Sequence, residues 1–142
     1  MEKDVSAKLI KAMRGWDAFR VENLLYPGTP DINFIGGWME TKHVKNYPAK
    51  ETDLITHPDF TISQRAFLKR RALMGGKTFL FVQVQKDYYL FDGITGANYF
   101  GFLEKKYLLK RAKAFWQGRF PKSEELMAAI LKDDSKEEEH DN

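Results

Sequence analysis

The chain has 142 residues, 43% of them hydrophobic, 30% charged and 20 aromatic, which is the length and composition of one folded domain and excludes a wholly disordered chain. It has no cysteine, which excludes disulfide scaffolds, thiolate zinc sites, iron–sulfur clusters and cysteine nucleophiles. The net charge is only +3, but residues 133–142 hold six acids and one lysine, leaving 22 Lys+Arg against 14 Asp+Glu in residues 1–132.

The N-terminal MEKDVSAKLIKAMRGW carries charges where a signal peptide needs an apolar block, and no run approaches the roughly 20 apolar residues of a membrane span. The expectation is a cytoplasmic protein with no membrane partner. Val5, Leu9, Ala12, Met13, Trp16 and Phe19 recur at helical spacing, which predicts one or two helices from about residue 4 to 24, with Gly15 as a weak point. Tyr26-Pro27-Gly28-Thr29-Pro30 then forces a turn and an extended approach to Asp31.

DINFI and WMETK read as two short strands joined at Gly36-Gly37, a hairpin signal. Residues 43–60 lack periodicity and contain two prolines, so they form a long loop. Thr61 or Ser63 caps a helix running to about Met74, with Ile62, Ala66, Phe67, Leu73 and Met74 roughly on one side and Gly75-Gly76 ending it. TFLFVQV (78–84) is apolar on both faces and reads as a central strand, with 88–91 as its antiparallel neighbour. A basic helix is predicted from Leu103 to Trp116, and Ser123 caps a last one ending near Lys132. The order of elements indicates an α/β sandwich with a small mixed sheet over residues 1–132. The acidic 133–142 tail reads as disordered.

If the hairpin turn is centred on Gly36-Gly37, the opposed pairs are 34:39, 33:40, 32:41 and 31:42. Opposed residues share a face, and so do alternate residues along a strand. Asp31, Asn33, Glu40 and Lys42 then project together, and Ile32, Phe34, Met39 and Thr41 take the buried side. Two carboxylates and an ammonium at the open end of a hairpin suit a hard divalent cation and a hydrolytic water; they are equally compatible with an ion-pair ladder on a solvated face.

Pro30-Asp31 followed by Glu40-Thr41-Lys42 resembles the PD-(D/E)XK motif of metal-dependent nucleases. The wider pattern, Gly28-Thr29-Pro30-Asp31-Ile32, Glu40-Thr41-Lys42 and Thr61-Ile62-Ser63-Gln64 before a helix ending in Gly75-Gly76, resembles the virus-type replication-repair nuclease (VRR-NUC) family and related stand-alone phage proteins, over residues 14–84. That resemblance implies a restriction-endonuclease-like sandwich and a Mg2+- or Mn2+-dependent endonuclease acting on DNA. It implies that Asp31, Glu40 and the main-chain carbonyl of Thr41 ligate the metal. Lys42 sits by the attacking water, Gln64 positions that water or a phosphate oxygen, and Glu22 stands where an upstream helical acid completes the site. Arg14, Arg20, Lys45, Lys69, Arg70 and Arg71 supply a backbone-binding surface, extended by Lys105, Lys106, Lys110 and Arg111. Tyr47, Tyr99 and Trp116 are candidates to stack on bases.

Relatives of this size act as homodimers on branched DNA such as four-way (Holliday) junctions, which makes such a resolvase the specific expectation. A nicking, flap or restriction-like nuclease of the same fold, and a non-catalytic basic module that binds nucleic acid, are the other readings.

Overall fold

The computed structural model describes residues 2–22 and 25–133. Of the acidic tail only Asp133 falls within that range. Helix α1 (Glu2–Ala12) leads through a 3-10 turn (Arg14–Trp16) to β1 (Phe19–Arg20), β2 (Ile32–Phe34) and β3 (Gly37–Val44). Helix α2 (Ile62–Leu73) precedes β4 (Thr78–Val84), β5 (Asp87–Asp92), α3 (Gly93–Tyr99), α4 (Lys105–Arg111), β6 (Ala114–Trp116) and α5 (Ser123–Leu131). The six strands form one sheet in the order β1-β2-β3-β4-β5-β6. Only β3 and β4 pair in parallel, with α2 in the crossover between them, and every other pair is antiparallel. This is the expected α/β sandwich with a mixed sheet.

Two apolar layers flank the sheet. On one face Val5 and Leu9 of α1, Met13 just after it, and Leu126 and Ile130 of α5 pack on Ile32, Phe34, Met39, Phe79 and Phe81. On the other, Leu68 of α2, Ala97 of α3 and Leu108 of α4 pack on Leu80, Val82, Val84, Tyr89 and Phe91. Strand alternation sends Trp38, Glu40 and Lys42 to this second face and Met39 and Thr41 to the first.

Four expectations are corrected. The helix predicted over 4–24 stops at Ala12; a 3-10 turn follows, and Asp17, at a left-handed φ of 54°, closes that turn and leads the chain into the edge strand β1, while Trp16 stacks on Phe34 at 5.8 Å. The hairpin register is Ile32↔Met39, Asn33↔Trp38 and Phe34↔Gly37, two residues away from the expected one. Only Gly36 has a positive φ, 113°; Gly37 already belongs to β3, where a Cβ would meet the Lys77 carbonyl oxygen at 2.2 Å. The helix predicted over 103–116 is α4 followed by β6. On α2, Phe67 and Leu68 are buried, whereas Ile62, Leu73 and Met74 are 85%, 74% and 82% exposed, so the expected apolar side is not the packed one.

The loop after β3 is anchored rather than loose. Leu54 bridges to Glu104, Ile55 donates its N–H to the Leu103 carbonyl at 3.3 Å, and Ile55 and Phe60 are buried.

Candidate active site

The site is built where β2 ends and β3 continues. Because β2 begins only at Ile32, the stretch of β3 beyond Met39 has no ladder partner on that side, and the Asp31 side chain takes the place of one. Asp31 Oδ2 accepts from the Thr41 backbone N–H at 3.0 Å and from Thr41 Oγ1 at 2.8 Å. The Thr41 hydroxyl also meets Ser6 Oγ of α1 at 2.9 Å, which ties the site to the first helix. In a strand the N–H and C=O of one residue face the same edge, so the Thr41 carbonyl faces the side from which Asp31 approaches.

On the opposite face Lys42 Nζ lies 3.7 Å from Glu40 Oε2, and the two side chains are 3% and 1% exposed. Glu40 Oε1 is likewise shut off from solvent. The ammonium donates to the Asp59 carbonyl at 3.3 Å and sits 6.0 Å from the Phe60 ring centroid. Arg65 lies over the other part of this roof, 4.2 Å from the Phe60 centroid, and donates to the Ala97 carbonyl at 2.8 Å. The solvated ion-pair ladder is thereby replaced by a buried pair, for which desolvation is expensive and geometry decisive.

The turn that delivers Asp31 is fixed against α2. Gly28, at φ 85°, lies so close to the first turn of the helix that a Cβ would meet the Ser63 carbonyl oxygen at 2.3 Å and the Gln64 nitrogen at 2.9 Å. Thr61 caps α2: its hydroxyl accepts from the Gln64 N–H at 3.2 Å, and Gln64 Oε1 accepts from the Thr61 N–H at 3.0 Å. Gln64 thus sits beside the Asp31 turn, with its carbonyl oxygen engaged in a capping box.

The remaining sequence candidates divide. Glu22 is not helical; it is exposed, two residues past β1, next to Val21, whose N–H donates to the Asp31 carbonyl at 2.8 Å. Arg20 opposes Ile32 and shares its face, the side away from Lys42. Arg14 lies in the 3-10 turn by the closed end of the hairpin, where the Ile35 N–H donates to the Trp16 carbonyl. Lys45 is exposed just past β3, and Lys69 is half-buried on α2. Arg70 and Arg71 are exposed and lie over aromatic rings: Arg71 is 5.8 Å from the centroid of Trp38 on β3 and 5.0 Å from that of Phe67 on α2, and Arg70 is 5.6 Å from Phe67.

None of the three aromatics expected to stack on bases is open for it. Tyr47 Oη donates to Asp87 at 2.5 Å and meets Tyr89 Oη at 2.7 Å, and burial together with these bonds pushes its ionisation far above the ordinary tyrosine range. Trp116 is buried, and Arg111 covers Tyr99 at 4.2 Å. Tyr26, Asp59, Phe60 and Arg65 were not among the candidates read from the sequence; only the PG turn after Tyr26 gave a local signal.

Among the described residues no group of three or more His, Cys, Asp and Glu is placed to hold a metal ion. Asp31 and the Thr41 carbonyl at the strand edge, and the buried Glu40 carboxylate on the second face, are oxygen donors of the kind that Mg2+ or Mn2+ takes. The apolar groove of about 530 Å3 by Phe34, Ile35 and Ile130 lies at the other end of the hairpin, and Lys77 is its one charged lining residue.

No protein-family model matches the sequence, and no curated protein matches it. Among solved structures the chain is similar to a restriction endonuclease in complex with substrate DNA, at 12% identity and a TM-score of 0.35, covering 93% of this chain and 64% of that one. No helix among the described residues is long and apolar enough to cross a membrane.

Proposed function

We propose that this chain is a metal-dependent endonuclease that hydrolyses DNA phosphodiester bonds. The observation that supports the reading best is the pairing of a buried Lys42–Glu40 contact at 3.7 Å with an Asp31 side chain bonded to the intervening Thr41. It gathers on one hairpin the groups of the PD-(D/E)XK pattern.

In this reading Asp31, Glu40 and the Thr41 carbonyl hold Mg2+ or Mn2+. Once bound, the ion supplies positive charge to the phosphate and acidifies a water. Lys42 has three N–H donors; one goes to Asp59, a second faces Glu40, and the third is left for the attacking water or a phosphate oxygen. Glu40 holds the ammonium in place. The Asp59-Phe60 roof excludes water from the pair and must shift for a phosphate to reach Lys42. Arg70 and Arg71 hold the DNA backbone; Gln64, through its amide nitrogen, and Glu22 complete the set assigned by resemblance. Branched DNA, four-way junctions in particular, is the substrate and a homodimer the working form.

The test is cleavage of supercoiled, linear and four-way junction DNA in Mg2+, Mn2+ or EDTA. Cutting in either metal, absent in EDTA and reduced by about 100-fold or more in Glu40→Gln and Lys42→Met, is expected. Binding without cutting in any metal would establish the non-catalytic module instead. Equal rates on junction and linear duplex would remove the junction preference alone.

A further inference from the structure

Tyr26 is half-exposed at the edge of the active site, and its ring is held in place from three sides. Its edge meets Phe67 at 6.2 Å and 87°, its hydroxyl accepts from Arg70 Nη2 at 3.2 Å, and the Arg70 guanidinium lies 5.8 Å from its centroid. Its main-chain carbonyl accepts from the Thr29 hydroxyl at 2.7 Å, so the ring is coupled through the tight turn to Asp31, five residues on. Leu25 beside it is 94% exposed. Neither Arg70 nor Arg71 makes an ion pair with a carboxylate among the described residues. Their charge rests on the faces of Tyr26, Phe67 and Trp38, and Trp38 stands two residues before Glu40 on the same face of β3, about 7 Å away. That is the span of about two stacked nucleotides.

An immobilised, half-exposed ring backed by uncompensated guanidinium groups is what a base needs on one side and its phosphate on the other. A base inside a duplex offers no free face to such a ring. We propose that Tyr26 and Arg70 form a stacking site for an unpaired nucleobase next to the cleavage centre, so that the substrate is DNA with an unpaired strand at or beside the scissile phosphate. The inference rests on the nuclease reading and narrows its branched substrate to one with an unpaired strand, in place of the fully paired four-way junction.

The test is binding in EDTA, where cleavage plays no part, of three DNAs: a splayed-arm duplex, an intact four-way junction and a blunt duplex. One splayed-arm sample carries 2-aminopurine in the unpaired strand. The wild-type protein should bind the splayed arm about tenfold more tightly than the blunt duplex and quench the 2-aminopurine. Tyr26→Phe should keep the quenching and most of the preference, whereas Tyr26→Leu should lose both. Tyr26→Leu should keep the wild-type far-UV circular dichroism and a cooperative thermal melt, which shows that it is folded. Equal wild-type affinity for splayed and blunt DNA, or quenching that survives in Tyr26→Leu, overturns the stacking site. Cleavage in Mn2+ by the same wild-type preparation then tells whether the nuclease reading stands without it; no binding to any of the three DNAs would sink both.

Discussion

Lys42 and Glu40 form an ion pair at 3.7 Å with both side chains buried, two residues apart on one face of β3 and flanked by Leu80 and Val82 of the parallel neighbour. A single change that removes one partner leaves the other charge buried and uncompensated. Lys42→Met should therefore lower stability by about 3–5 kcal/mol, while Glu40→Gln combined with Lys42→Met should recover most of that loss. Urea unfolding of the four proteins of the cycle measures it. Additive losses would show that the two charges do not rely on each other.

Asp31 has a second task besides the one proposed for it at the metal. Removing its carboxylate leaves the Thr41 N–H without the acceptor it has at 3.0 Å, so Asp31→Ala should cost about 1–3 kcal/mol in the metal-free protein. Asp31→Asn keeps an acceptor oxygen and should cost less. Both variants should lose the stabilisation that Mn2+ gives the wild type, about 1.4 kcal/mol at ten times the dissociation constant. Thermal melts with and without Mn2+ separate the two effects, and an Mn2+ shift undiminished in Asp31→Asn would remove Asp31 from the metal site.

The hairpin shows what the sequence made legible. Placing the turn on Gly36-Gly37 was wrong by one residue, which shifts the register by two: the loop is Ile35-Gly36, and Gly37 is needed for the close approach of the Lys77 backbone and not for the turn. A slip of two preserves the face of residues inside the strands, so Asn33, Glu40 and Lys42 still share a side, whereas a slip of one would have inverted them; Asp31, which precedes β2, instead turns its carboxylate to Thr41 and leaves the expected grouping. Capping chemistry narrowed the start of α2 to Thr61 or Ser63, and Thr61 is the cap, closed by Gln64 three residues on. Non-local contacts were not legible. Nothing local to Asp59, Phe60 or Arg65 announces that they roof Lys42, and the helical spacing of Trp16 and Phe19 is shared by a 3-10 turn and an edge strand.

Gln64 is held by the helix cap, and this gives its stability role a direct measurement. Thr61→Ala and Gln64→Ala should each lower stability by about 1 kcal/mol or somewhat less, and the double variant should lose less than the sum because the two bonds form one reciprocal unit. Gln64→Glu preserves the acceptor and adds a negative charge in the first turn, so it should be at least as stable as the wild type. Denaturant midpoints decide the matter. Full additivity would mean that the box is not closed in solution.

Acid sensitivity should be traceable to the start of α5, where Arg119 forks onto Glu125 through bonds of 2.8 and 2.7 Å and the Lys122 N–H adds a third at 3.1 Å. The Arg119 hydrogen bonds first, then the backbone donor, hold the Glu125 carboxyl down at about 2. Because the folded state lowers this value below that of the unfolded chain, the contribution is complete above the ordinary carboxylate range and is lost as pH falls toward 2. Glu125→Gln should accordingly show a shallower loss of stability between about pH 4.5 and 2 than the wild type. The pair is solvent-exposed, so the difference should shrink in 1 M salt, where the screening length is about 3 Å. Unfolding curves collected at pH 7, 4 and 2.5 provide the comparison, and parallel pH profiles for the two proteins would show that this fork contributes nothing to acid stability.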